Sequence, residues 1–285
     1  MAESKPSVKP ATAVQVKKSG NSISWIAPLL CIIIGYVFWR FYLGMPSAFK
    51  GQGEGWFWPT YAGGLVDDKS IHKMYLGGII VPIIIGCLLI VITFCIERFL
   101  TITKATGTSS NADFIRKVQY HLANKNVDAA IAECDKQKGS VGNVMKAGLH
   151  RYKEMTSNTE LSTDQKVMAI QKEVEEATSL ELPMLEKNLV FLSTIASVAT
   201  LLGLFGTVLG MIRSFSKLGD QGGGDAAREL SVGISEALYN TALGIGTSAL
   251  AIIMYNVFTT RIDGITYGID ESGFTLTQSF ASLYK

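Results

Sequence analysis

Charge is what this chain has least of: 18% of its 285 residues are Asp, Glu, Lys or Arg, against about 25% in an ordinary soluble domain. Histidine and cysteine are also scarce, at three and four residues. No CxxC or HExxH string occurs, and His72, His121 and His150 are scattered, which excludes the usual spaced metal ligands. Cys31, Cys87 and Cys95 lie in apolar runs and Cys134 stands alone, which excludes a disulfide framework. A phosphate-cradling glycine loop and a nucleophile–base set are both missing, so neither enzymatic chemistry nor a cofactor is implied. A net charge of +2 provides no footprint for nucleic acid. With 48% hydrophobic residues, a disordered chain is excluded as well.

The shortage of charge is uneven. Residues 23–39, 74–96 and 188–212 hold no Asp, Glu, Lys, Arg or His, and residues 230–260 hold one, Glu236. Each run approaches or exceeds the roughly 20 residues a helix needs to cross a bilayer core. Only a helix satisfies its own backbone groups in lipid at this length. The expectation is an all-α integral membrane protein with four transmembrane helices. Its divisions are a tail (1–22), a first span (23–43), an outer loop (44–73), a second span (74–97), a helical domain (98–187), a third span (188–213), a turn (214–229), a fourth span (230–260) and a C-terminal segment (261–285). The first run also reads as a signal peptide behind Lys5, Lys9, Lys17 and Lys18. Against that stand Pro46, where a cleavage site wants a small residue, and the belt-like aromatics Phe41 and Tyr42.

Lys and Arg near the span ends set the orientation. The tail has four and residues 98–187 have thirteen, whereas residues 44–73 have three and residues 214–229 have two. Tail, helical domain and C-terminus are therefore expected in the cytoplasm. Within the domain, Phe114, Ile115, Val118 and Leu122 recur at helical spacing behind a capping Asn111. Residues 126–136 form a second helix, and Val141, Val144, Met145, Gly148, Leu149 and Tyr152 mark a third. No glycine occurs between Thr163 and Gly203, so one long helix is expected to run into the third span, kinked at Pro183. The acidic face of Glu173, Glu176 and Glu181 reads as solvated.

The first two spans are rich in Ile and Leu, as expected of helices facing lipid. The last two are different. Gly203, Gly206 and Gly210 in the third and Gly244 in the fourth allow helix backbones to approach closely. Thr207 lies among the first three, and Thr241 follows Asn240. At 100° per residue, Glu236, Asn240 and Thr247 share a broad face with Thr241 beside it. Glu236 sits about one turn inside its span and has two readings, an ion-path group or a snorkelling headgroup contact. No second Asp, Glu, His, Lys or Arg lies deeper in either span. Hydroxyls can pass a proton but cannot store one near neutral pH, so a proton-storing group must come from another chain.

The strings LSTIASVATLLGLFGTVLGMIRSF (192–215) and LSVGISEALYNTALGIGTSALAIIMYN (230–256) resemble the paired signatures of the MotA/TolQ/ExbB proton-channel family, nearest to its ExbB members. GSVGNVMKAGL (139–149) resembles the family's cytoplasmic region. The resemblance implies a homo-oligomer, a pentamer in the inner membrane, with the last two spans lining a central pore. It implies an ExbD-like single-span partner dimer in that pore, which supplies the proton-carrying Asp, and a TonB-like protein that takes up the force. Thr207 and Thr241 match the family's pore threonines and Glu236 its functional glutamate; Asn240 stands beside them where an apolar residue or Thr is usual. Thr200 and Leu250 replace prolines common in relatives, and the first span and outer loop are additions to the best-known ExbB pattern. Other readings are a TolQ-like or gliding-type stator and, in a different class, a non-conducting scaffold.

Overall fold

The computed structural model describes residues 22–50, 72–220 and 225–284, and every element among them is helical. α1 (Ser22–Phe38) runs into a π-helical stretch, Trp39–Leu43, closed by Gly44 N–H donating to the Trp39 carbonyl at 2.9 Å. A single 3₁₀ turn, Pro46–Ala48, follows. The short α2 (Lys73–Leu76) precedes α3 (Ile80–Thr106). Then come α4 (Asn111–Ala123), α5 (Val127–Gln137), α6 (Ser140–Ser157) and α7 (Thr163–Glu186). The last two are α8 (Leu189–Asp220) and α9 (Asp225–Leu283). Four of the helical stretches are long and apolar enough to cross a membrane. The expected tail (1–22) and outer loop (44–73) lie mostly outside the described residues.

Aromatic packing closes one end of the molecule. The Trp39 ring stacks on Tyr75 of α2 at 4.4 Å, and Phe49 lies 5.5 Å from Tyr75. His72 Nδ1 is 2.9 Å from the Leu43 carbonyl, which accepts its proton. Along the membrane, α1 docks on α3 through two glycines: a Cβ on Gly35 would lie 2.8 Å from Gly86 N, and one on Gly86 3.0 Å from Ile32 Cα. Contact this close fixes α1 to α3, because helices in lipid associate chiefly by van der Waals packing.

Three expectations from sequence are corrected. The second span faces outward only along a strip that includes Ile92 and Ile96. Ile80, Val81, Ile84, Ile90, Val91 and Phe94 are buried, with α1 on one side and α8 and α9 on the other. Aliphatic residues serve a helix–helix contact as well as an acyl chain, so composition alone does not separate the two. The second span is also not one helix from Met74: Gly77 and Gly78 break it, Gly78 at φ +78°. Finally, the helix beginning at Thr163 does not pass unbroken into the third span. It ends at Glu186, and Asn188 adopts φ +68°, the left-handed region that Asn tolerates better than most residues.

That break is held by a polar joint. Arg98 of α3 is 2% exposed, and its Nη1 donates to the Leu185 carbonyl at 3.0 Å. It thereby satisfies a carbonyl in the last turn of α7 that the helix itself leaves open. The same guanidinium donates to Glu97 at 2.5 Å through Nε and through Nη2. The Glu97 carboxylate also accepts from Asn188 Nδ2 at 3.3 Å and from Thr101 Oγ1 at 3.2 Å.

Beyond the joint, α4–α7 fold into a helical head against the C-terminal part of α9. The apolar spacing noted above becomes its core: Phe114, Ile115, Val118, Leu122, Val141, Val144, Met145, Leu149 and Tyr152 are buried together with Ile269, Leu276 and Phe280. Asn126 caps α5 by accepting from Ala129 N–H at 3.1 Å. Ser110, not Asn111, is the N-cap of α4. Ser162 and Gln165 form a capping box at the start of α7. Glu176 is exposed, while Glu173 and Glu181 are half-buried, and Glu181 accepts from Asn143 Nδ2 at 2.9 Å. Residues 261–283 continue α9, whose 59 residues span roughly 90 Å.

Two outcomes follow from these contacts. Arg98→Ala should cost about 2–3 kcal/mol, because it strands Glu97 and the end of α7; thermal unfolding in detergent micelles, followed by helical circular dichroism, measures the loss. In the head, burial, with help from Asp135, pushes the Cys134 thiol from 9.0 up to about 12. A thiol raised in the folded state contributes its stability below about pH 9 and loses it as the pH climbs toward 12. Cys134 should therefore resist a water-soluble maleimide at neutral pH until the head unfolds, as mass spectrometry of labelled peptides would show.

Candidate functional site: a polar seam between two membrane helices

α8 and α9 form the most extensive helix pair of the protein, and glycine is the reason. A Cβ on Gly203 would lie 2.9 Å from the Asn240 carbonyl oxygen and 3.1 Å from Gly244 Cα. On Gly244 it would lie 2.5 Å from the Ala199 carbonyl and 2.8 Å from Gly203 Cα. On Gly210 it would meet Ala237 Cβ at 2.5 Å, and on Gly206 it would meet Asn240 Cβ at 2.7 Å. Backbone therefore lies against backbone along this seam, and no larger residue fits without separating the helices.

This close approach decides what the two threonines can reach. Their hydroxyls hydrogen-bond to each other across the seam. Thr241 Oγ1 donates to the Gly203 carbonyl at 3.0 Å, a bond from α9 to α8. Thr207 Oγ1 has its own α8 carbonyl, Gly203, at 3.2 Å and the α9 carbonyl of Ala237 at 3.4 Å. Each hydroxyl has one proton and two lone pairs. Two protons thus face two carbonyl oxygens, those of Gly203 and Ala237, plus each other's oxygens, and more than one arrangement of donors satisfies the same oxygens. Both residues are half-buried within the chain. Such a pair can relay a proton by hydroxyl rotation, but it holds no site for one.

The other expected residues divide. Glu236 is half-buried on α9, one turn before Asn240. Asn240 does not sit with the threonines on an open face. Its side chain is 1% exposed, turned into the chain, and its Nδ2 donates to the Gly77 carbonyl at 3.0 Å. Thr247 is buried too, and Ser248 donates to the Ala196 carbonyl across the seam. The face of α9 shared by Asn240 and Thr247 in the helical projection therefore points inward. Among the described residues no three His, Cys, Asp or Glu side chains gather as a metal site.

Sequence reasoning missed the Gly77 carbonyl and the Glu97–Arg98–Asn188 joint. The Gly77–Gly78 doublet inside an apolar run was the available signal for the first. Nothing in the spacing of Glu97 and Asn188, 91 residues apart, announced the second. A Gly203→Leu substitution should force the two helices apart and lower stability by about 3 kcal/mol, the upper part of the usual cost of overpacking at a tight contact; loss of the assembled species on size exclusion in detergent checks it.

Comparison with known proteins identifies the family. The profile of the "MotA/TolQ/ExbB proton channel family" matches residues 136–271, from the end of α5 through most of α9. The chain is 30% identical over 178 residues to a Tol-Pal system protein TolQ of Pseudomonas aeruginosa, covering 57% of this chain and 77% of that protein. It is 42% identical over 87 residues to a putative biopolymer transport protein, ExbB-like 3, of Synechocystis sp., covering 30% of this chain and 41% of that protein. It is 43% identical over 79 residues to a biopolymer transport protein ExbB of Helicobacter pylori, covering 28% and 54%. The ExbB matches thus span about half the length of those relatives, and the TolQ match spans most of its own. With four apolar helices and these relatives, the chain is a multi-pass protein of the bacterial inner membrane, and it belongs to the MotA/TolQ/ExbB proton channel family.

Proposed function

We propose that this chain is an ExbB-like subunit of a proton-driven motor in the inner membrane, which energises TonB-dependent transport across the outer membrane. The observation behind this reading is the hydroxyl pair Thr207–Thr241, set in two spans that hold no Asp, Glu, His, Lys or Arg deeper than Glu236. A path that relays protons but stores none needs a carboxylate from another polypeptide. The partner that fits is a single-span ExbD-like dimer on the axis of a homo-oligomer, a pentamer, with a TonB-like protein taking up the force. Glu236 serves as the polar entry to the seam. The Lys and Arg distribution supports a cytoplasmic N-terminus, head and C-terminus.

A second reading within the family is a TolQ-like subunit serving the cell envelope, favoured by the match that covers 77% of the Pseudomonas TolQ. Deletion separates the two. Loss of siderophore or vitamin uptake marks the first role; septation defects and envelope leakage mark the second. Thr207→Val and Thr241→Val remove only the hydroxyls and keep the volume. Each should lower proton flux by about tenfold or more in liposomes containing the copurified assembly, the scale of losing one buried polar group that the path requires. No flux in the unmodified assembly would leave a sealed scaffold as the better account, and normal flux in either variant would take that hydroxyl off the path.

A further inference from the structure

α1, the π-helical stretch, α2 and α3 all lie outside the matched residues 136–271. They reach the polar seam at the Gly77–Gly78 turn between α2 and α3. On its outer side, α2 is clamped by the Trp39–Tyr75 stack, and Gly44 lies against the Tyr75 ring with no room for a Cβ. On its inner side, the turn is met by both seam helices. From α8, Arg213 comes so close that a Cβ on Gly78 would lie 2.8 Å from its Nη1. From α9, Asn240 Nδ2 donates to the Gly77 carbonyl at 3.0 Å.

Asn240 is poorly explained as packing. Its Oδ1 is buried without a hydrogen-bond partner, a group that costs stability and that an aliphatic residue of the same size would avoid. What the amide provides is direction. Gly206 of α8 lies against its Cβ, with 2.7 Å left for any side chain there, and the Gly77 carbonyl takes its donor. The next residue along α9 is Thr241, which is bonded to Gly203 and to Thr207. A rotation of α9 that broke the first contact would carry the Thr241 hydroxyl away from the second.

We propose that Asn240 is a positioning residue: its bond to the Gly77 carbonyl ties α9 to the N-terminal module and sets the rotation at which Thr241 meets Thr207. The module of α1, α2 and the aromatic cluster thereby acts on the seam without lining it. This rests on reading the two threonines as a proton path, and the test separates the two claims.

The measurement is proton flux across a pH series in liposomes holding the assembly as it copurifies with its partner subunit, with assembly checked by size exclusion. Asn240→Leu keeps the volume and removes the donor; flux should fall by about tenfold while the assembly persists. Gly77 has helical torsions, φ −62° and ψ −4°, so Gly77→Ala carries no backbone strain. Its methyl would lie 2.7 Å from both Asn240 Oδ1 and the Val81 Cγ2 methyl, and by pushing the amide aside it should reproduce the fall with Asn240 still present. Asn240→Asp donates to Gly77 only as the neutral acid. Its flux relative to the unmodified protein should be near normal at acidic pH and decline as the carboxyl ionises. The ionisable neighbours, Glu236 on α9, Arg213 on α8 and His72 leading into α2, are the same in every variant, so that ratio reports the new carboxyl. Unmodified flux in both Asn240→Leu and Gly77→Ala overturns the proposal, as does an Asn240→Asp profile that parallels Asn240→Leu. Should Asn240→Leu fail to assemble, the other two variants decide. Thr241→Val is the control. If it conducts normally, the proton-path reading itself falls. If it is blocked while Asn240→Leu and Gly77→Ala conduct, only the positioning role falls.

Discussion

Backbone contact between α8 and α9 is the constraint on which the other features rest. With Gly203 and Gly244 placed so that neither could accept a Cβ, the carbonyl of one helix comes within reach of a hydroxyl on the other. In water such a bond would compete with solvent. In a bilayer core it competes with nothing, and an unpaired hydroxyl or carbonyl there is costly. The glycines therefore do more than tighten packing. They give the two threonines backbone acceptors, and the seam becomes a polar line enclosed by apolar helices.

The same helices carry that line into the head. α9 continues without a break from the seam to Leu283, and the Thr163 hydroxyl donates to the Tyr284 carbonyl at 2.9 Å, fastening its end to the start of α7. Tyr152, Phe280 and Tyr284 pack around that junction. α8 takes the opposite course, separated from α7 by the left-handed Asn188 and held there by Arg98 and Glu97. One seam helix is thus a continuous rod and the other is jointed at the edge of the membrane.

The N-terminal module lies outside the residues matched by the family profile and is built into the chain rather than loosely attached. Gly35 and Gly86 bring α1 against α3 along the membrane, while the stacked aromatics hold α2 at one end. α3 becomes the central helix of the chain, which explains why a run that reads as lipid-facing is among the most buried in the protein.

Much of this was legible in the sequence, for identifiable reasons. Four spans follow from the absence of charge over lengths that match a bilayer, and the head helices from apolar residues at a spacing of three and four. Gly203, Gly206, Gly210 and Gly244 stand out because small residues in a span have few uses other than close approach. Composition could not say which face of α9 points inward. Asn240 and Thr247 share a projection with Glu236, and only the packing of α3 and the Gly77 turn against that face decides that their side chains are enclosed. Nor could periodicity show that α7 ends before α8 begins. That break depends on Arg98, 87 residues from the Leu185 carbonyl it satisfies. Local pattern determined which helices form and how far they reach. Contacts between residues distant in the chain decided where they break, which way they face and which polar groups meet, because a buried donor must find its acceptor in space and not in sequence.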